Sequence, residues 1–213
     1  MYIGIDSSNQ IKYTGVVYGS FSDIDKVYNE IQKILKVEGV NPPYHWSKIS
    51  RKVKDKTKNK VIESLNKSKL KFNIFLHKKT INIPRKEFYY FRIPRAISQN
   101  LENWLNSLKG SVEIEVDNDY NIKNHSTEEF IESLVQQIGF RLIGKPVKVR
   151  KEDKVKASIK QNDGGLLNLY GVVTDSKSSK GIQIIDITLG IFIERDGTNN
   201  KSFDKNRLFF REI

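Results

Sequence analysis

The chain of 213 residues contains no cysteine, one methionine and five prolines. Without thiols there is no disulfide framework, no Cys-ligated zinc, no iron–sulfur cluster and no thiol nucleophile. No apolar run approaches the roughly 18–20 residues that a membrane-spanning helix needs, so no membrane association is expected. The opening MYIGIDSSNQ lacks the basic region and small-residue cleavage site of a signal peptide and reads as structure. These absences make a soluble, cytoplasmic protein the default expectation. Also missing are a GxxxxGK[ST] phosphate loop, a GxGxxG turn, a GxSxG nucleophile elbow, an HExxH zinc helix, internal repeats and long low-complexity tracts.

Acidic residues are in deficit. Against 25 Asp and Glu stand 37 Lys and Arg, a formal net charge of +12. An excess of this size attracts anions, of which nucleic acid is the commonest large one, although a solvated basic surface without a partner has the same composition. Hydrophobic residues make up 38% of the chain, enough for a core and too much for compositional disorder. The length favours one large domain.

Hydrophobic periodicity orders the elements. MYIGID and KYTGVVYGSF read as two strands joined by the turn residues SSNQ, and Ser22 is placed to cap a helix reaching about Lys36. A basic helical segment covers about 45–66, and LKFNIFLH alternates as a strand. A longer helix over Arg85 to Asn106 is interrupted at Pro94, and SVEIEVDND is a strand. Ser126 or Thr127 caps the helix EEFIESLVQQIGFRLIG, and KPVKVRKEDKVKAS is a basic strand-like piece. Residues 161–180 are mixed, GIQIIDITLGIFIE is an apolar helix, and RLFFREI is a short apolar tail able to dock in cis or on a partner. The alternation of strands and helices makes the chain α/β. It offers no internal boundary, which gives one domain over 1–195 and a C-terminal tail over 196–213.

Three aspartates sit where packing alone would not put a charge. Asp6 terminates an apolar strand on the face opposite Ile3 and Ile5. Asp117 terminates SVEIEVD on the face opposite Val112, Ile114 and Val116. Asp186 lies among Ile and Leu in the last helix, where a carboxylate is costly unless it is paired or binds a cation. Each has an ordinary explanation as a turn cap or buried pair. Taken together, two strand-end carboxylates and one on a late helix suit Mg²⁺ or Mn²⁺. These ions take oxygen ligands and keep several waters, and a pair of them supports phosphodiester cleavage.

At these residues the chain resembles the ribonuclease H-like (retroviral-integrase) superfamily. Within it the chain is most similar to a prokaryotic and viral domain-of-unknown-function family that closes on Asp-Ser-Lys…Gly-x-Gln-x-x-Asp. That segment stands here as Asp175-Ser176-Lys177 through Gly181-Ile182-Gln183 to Asp186, and His45-Trp46-Ser47-Lys48-Ile49 resembles the family's segment after its first helix. The likeness spans about residues 1–195. It implies a mixed sheet, an antiparallel N-terminal hairpin followed by parallel strands, flanked by helices with the basic helical segment inserted. It also implies Asp6, Asp117 and Asp186 as metal ligands and catalytic residues, Asp175 as an accessory acid, and Gln183 orienting a ligand or water. Ser7 stands where the family often has Glu, which removes one candidate ligand, and Ile185 stands where Ala is common.

Phosphate contacts are expected from Lys48, Arg51, Lys52, Lys54 and Lys56 in the run extending to Lys60, with a solvated helix face as the bland alternative. The stretch 85–95, RKEFYYFRIPR, interleaves Arg85 and Arg92 with four aromatics, a pattern that serves base stacking or simple burial. His45 and Trp46 fit a cleft rim or a packed turn. His77 and His125 have no partner at ligand spacing. The expected activity is a divalent-metal-dependent nuclease, with a non-catalytic nucleic-acid-binding module on the same fold as the alternative. DNA or RNA as substrate, and the oligomeric state, stay open.

Overall fold

The computed structural model describes residues 1–8, 12–77, 85–120, 126–195, 202–204 and 206–213. It is an α/β chain whose strands pair in both parallel and antiparallel fashion and are flanked by helices. The described residues divide into two compact units, one of Met1–His77 with Thr174–Glu212 and one centred on Lys78–Val173.

In the first unit, β1 (Tyr2–Ser8) and β2 (Tyr13–Gly19) form the expected hairpin, with Asp6 opposite Gly15. β3 (Lys71–Leu76) adds antiparallel to β2. Of the described elements, α1 (Phe21–Lys36), α2 (Trp46–Ile49), α3 (Asp55–Lys67) and α7 (Lys180–Arg195) are helical in this unit. The apolar tail docks in cis: its residues Leu208–Glu212 form β8, parallel to β3, with Phe72 opposite Leu208. Leu208 completes a core shared with Tyr2, Val17, Phe72, Ile74 and the buried faces of the helices.

Two details differ from the sequence reading. The cap of α1 is Ser20 rather than Ser22: the Ser20 Oγ accepts from the Asp23 N–H at 3.1 Å. Ser22 falls in the first turn, where its hydroxyl bonds Ser20. The basic segment is two helices, because residues 51–54 form a turn and α3 restarts at Asp55, an acid favourable at a helix N-terminus.

The second unit holds α4 (Arg85–Glu87), a π-helical turn (Phe88–Arg92), α5 (Ile93–Asn106), β4 (Gly110–Asp117) and α6 (Thr127–Ile143). Its remaining strands are β5 (Arg150–Lys151), β6 (Val155–Lys160) and β7 (Leu166–Thr174), in the order β5-β6-β7-β4. Pro94 does not break the helix at its centre. It sits in the first turn of α5, where its missing N–H costs nothing, and the wider π turn lies before it. Ser126 caps α6 as expected, its Oγ accepting from the Glu129 N–H. The mixed stretch after residue 160 resolves into a hairpin: Ala157 faces Leu169 and Ile159 faces Leu167 across a turn at Gly164. Alternation of inward Val155, Ala157 and Ile159 with outward Lys156, Ser158 and Lys160 is the half-buried strand pattern.

Candidate active site

Asp6 is in the body of β1, not at its end, since pairing continues through Ser8. Alternation puts Tyr2, Gly4 and Asp6 on one face of the strand. Directly opposed residues of an antiparallel pair share a face, so Asp6 and Gly15 look the same way. That way is toward α7: a Cβ on Gly15 would come within 2.7 Å of Ile185 and Leu189. Glycine at 15 is therefore what lets the last helix lie against the hairpin. Asp6 is 3% exposed, and its Oδ1 accepts from the Ser7 N–H at 2.7 Å. A buried carboxylate on the strand face beneath the helix that carries Asp186 is the central observation of this site.

The helix α7 presents Gln183, Asp186, Gly190 and Glu194 along one stripe, and each meets the segment Tyr44-His45-Trp46. The Tyr44 N–H donates to Gln183 Oε1 at 2.8 Å, and the Trp46 N–H donates to Asp186 Oδ2 at 2.8 Å. A methyl on Gly190 would overlap the Trp46 indole, so glycine is required there by close approach. The indole Nε1–H donates to Glu194 Oε1 at 2.9 Å, and Lys58 lies over the ring while bonding the other Glu194 oxygen. Trp46 is thus a packed anchor, which fixes the backbone donor that holds Asp186.

His45 lies between two groups of the closing segment. Its Nδ1 is 3.8 Å from Asp186 Oδ2, and its Nε2 is 3.5 Å from the Ser176 hydroxyl. The sequence leaves His45 at a cleft rim or a packed turn and does not connect it with Asp186. The separation of 140 residues between Trp46 and Asp186 explains why no local pattern reports the arrangement.

Asp175 and Gln183 both make hydrogen bonds within the fold. The Asp175 Oδ1 accepts from the Lys177 N–H at 2.8 Å and its carbonyl accepts from the Ser178 N–H, an Asx-type turn leading into α7. Gln183 accepts from the Tyr28 hydroxyl as well as from Tyr44, and its Nε2 donates to the Lys177 carbonyl. It clamps three segments behind Asp186, a positioning role.

Tyr44 itself is fully buried, and its hydroxyl has no hydrogen-bond partner among the described residues. Burial, aided by the neighbouring Tyr28, pushes its pKa up to about 12. Below the ordinary value near 10 the group is neutral in both states and stability does not depend on it. Above pH 10 only the unfolded chain ionises freely, so stability falls as pH rises toward 12, by at most about 3 kcal/mol at 1.4 kcal/mol per unit. Tyr44→Phe is expected to remove the Tyr44 share of this alkaline decline, leaving that of Tyr18 and Tyr28, which burial also raises, and to raise stability at pH 8 by about 1 kcal/mol, because an unsatisfied buried hydroxyl is removed. Urea unfolding at pH 8 and pH 11 checks both effects.

Asp117 belongs to the second unit, where it ends β4 half-buried and its Oδ1 accepts from the Asn118 N–H at 2.9 Å. Among the described residues no group of three or more His, Asp and Glu side chains is gathered closely enough to hold a metal ion. The donor chemistry nevertheless fits a hard cation. Asp6 and Asp186 offer carboxylate oxygen, and Mg²⁺ commonly binds through one or two carboxylates while keeping its waters.

Lys48, Arg51, Lys52, Lys54 and Lys56 are all exposed, and none has an ion-pair partner among the described residues. Lys58, by contrast, is folded inward onto Glu194 and Trp46. In the aromatic stretch, Tyr89 is buried and the Tyr90 hydroxyl donates to the Tyr120 carbonyl at 2.7 Å, so part of it is packing. Phe91 and Arg92 are exposed, with Arg95 over the Phe91 ring. The side chain of Arg85, like His125, lies outside the described residues. No family model matches the chain, and no curated protein is significantly similar to it.

Proposed function

We propose that the chain is a divalent-metal-dependent nuclease in which Asp6 and Asp186 hold Mg²⁺ or Mn²⁺. The observation that carries this reading is Asp6: a carboxylate 3% exposed on the strand face that meets α7, the helix carrying Asp186. A divalent cation of this kind lowers the pKa of bound water and stabilises the leaving oxygen in phosphodiester hydrolysis. The chain's own residues supply the rest. The Ser7 and Trp46 N–H groups hold one oxygen of each carboxylate, leaving orientation set by backbone. His45, next to Asp186, is placed to accept or deliver a proton at Nε2, beside the Ser176 hydroxyl. The exposed lysines of residues 48–56 would neutralise phosphates.

The test is cleavage of labelled single-stranded and duplex DNA, RNA and hybrids with Mg²⁺ or Mn²⁺. The expected result is metal-dependent cleavage of at least one substrate, abolished by EDTA. Absence of cleavage on every substrate would sink the proposal.

Ser7 supports a second reading, a nucleic-acid-binding module without turnover, since the residue after Asp6 supplies a hydroxyl where the resembled family often supplies a second carboxylate. Both readings use the basic run. Replacing Lys52, Lys54 and Lys56 by Ala is expected to lower the slope of log K against log salt by about 0.7–0.9 per lysine that contacts a phosphate. Fluorescence anisotropy across a salt series measures it. Under the second reading Asp6→Ala leaves affinity intact and EDTA has no effect.

A further inference from the structure

The β5–β6–β7 sheet of the second unit carries a surface that the active site does not use. Its inward residues Val155, Ala157, Ile159, Leu167 and Leu169 are buried, and α6 packs against β6. On the opposite face the register sets Arg150 opposite Lys156 and Lys156 opposite Tyr170. One rung therefore crosses three strands as Arg–Lys–Tyr, all on one face. Two cations directly opposed are unfavourable in a sheet. Glu152 offsets this at Lys156, whose Nζ donates to it at 2.5 Å. Lys148 and Arg150 have no carboxylate within ion-pair distance among the described residues, and both are exposed. Together with Lys156, Ala157, Ser158 and Tyr170 they line a recess of about 390 Å³.

Lys148 and Arg150 stand uncancelled beside the Glu152-paired Lys156, an arrangement that gains the fold nothing and is relieved by an anion. The half-exposed ring beside them asks in addition for a flat apolar surface. An unpaired nucleotide offers both, a phosphate and an open base face, whereas a duplex hides its bases in the stack. We propose that this face binds single-stranded nucleic acid, with a base stacked on Tyr170 and adjacent phosphates held by Lys148, Arg150 and Lys156. The partner class rests on the nucleic-acid reading above, and the strandedness and the second contact surface go beyond it.

The experiment is anisotropy of a labelled oligothymidylate and of a duplex with the full chain in EDTA, where no cleavage occurs. Tyr170→Ala is expected to weaken single-strand binding about 5- to 150-fold, the effect of losing one stacked base, and Tyr170→Phe to preserve it. Arg150→Ala is expected to reduce the single-strand salt slope by about 0.7. Single-strand affinity unchanged by Tyr170→Ala, or duplex affinity falling equally with it, overturns the proposal. So does poly-glutamate binding as tightly as the oligonucleotide. Tyr170-dependent binding without any metal-dependent cleavage overturns the nuclease reading alone. Asp186-dependent cleavage with Tyr170-independent binding overturns this proposal alone.

Discussion

Asp186→Asn is expected to remove metal-dependent cleavage while leaving the fold intact. The two side chains are the same shape, and the amide oxygen still accepts from the Trp46 N–H that bonds Asp186 Oδ2. What the substitution removes is the negative charge that would hold a divalent cation. Loss of an outer partner of a metal site costs about 10–100-fold, so loss of a direct ligand should exceed 100-fold. The measurement is initial rate against Mn²⁺ concentration, with thermal unfolding recorded on the same samples. Asp186→Ala is a poorer probe, because it also leaves the Trp46 N–H without its acceptor, at a cost of about 1–3 kcal/mol. Wild-type rates in the Asn variant would remove Asp186 from the chemistry.

The second large effect concerns the packing that positions this carboxylate. Gly190→Ala is expected to destabilise the protein, although alanine is the better helix former by about 1 kcal/mol. A Cβ at 190 has no room, since the Trp46 ring occupies its place. Overpacking of this kind costs about 1–3 kcal/mol and occasionally more, which outweighs the propensity gain. For a chain of this size each kcal/mol corresponds to about 2–4 °C in Tm. Trp46→Ala should also destabilise, by cavity formation and by loss of the bond to Glu194. The double variant should be less damaged than the sum, with a coupling of about 0.5–3 kcal/mol. Differential scanning calorimetry of the four proteins gives the cycle. Additive losses would mean that the ring and the glycine do not share the space.

The packing cycle and the cleavage assay bear on one stripe of one helix, and the stripe shows how much the sequence discloses. The helix over Lys180–Arg195 is legible as an apolar run, and Asp186 stands out in it because a carboxylate among isoleucines needs a reason. Alternation in β1 likewise puts Asp6 opposite Ile3 and Ile5 before any coordinates are known. The reason for Gly190 is not legible, because it depends on Trp46, far away in the chain, lying across α7. For the same reason His45 could not be assigned to Asp186 and Ser176. Capping shows a shorter-range failure: Ser20 and Ser22 are equivalent as residue types, and only the path of the chain after β2 makes Ser20 the cap. Lysines obscured the β6 strand. They are the outward half of its alternation, and the basic piece reads only as strand-like, its bounds and partner showing once the inward Val155, Ala157 and Ile159 are paired with β7.

The division of charge is sharper than composition implies. Of the 37 Lys and Arg some are cancelled by acids in the fold, such as Lys58 on Glu194, Lys151 on Glu132 and Lys180 on Asp25, and the excess of +12 lies in the remainder. Lys48 to Lys56, and Lys148 with Arg150, are among the cations that have no ion pair among the described residues. Paired surface lysines gain little from their partners, about 0–1 kcal/mol each, so pairing marks where charge is cancelled more than where stability resides. The uncancelled groups are where an anionic partner changes the energy most.

A crystal of the protein soaked in Mn²⁺, with data collected at the manganese edge, tests the central claim most directly. The account predicts anomalous density beside the carboxylates of Asp6 and Asp186, absent from crystals of the Asp186→Asn protein. A well-ordered soak with no anomalous peak at Asp6 or Asp186 would contradict it.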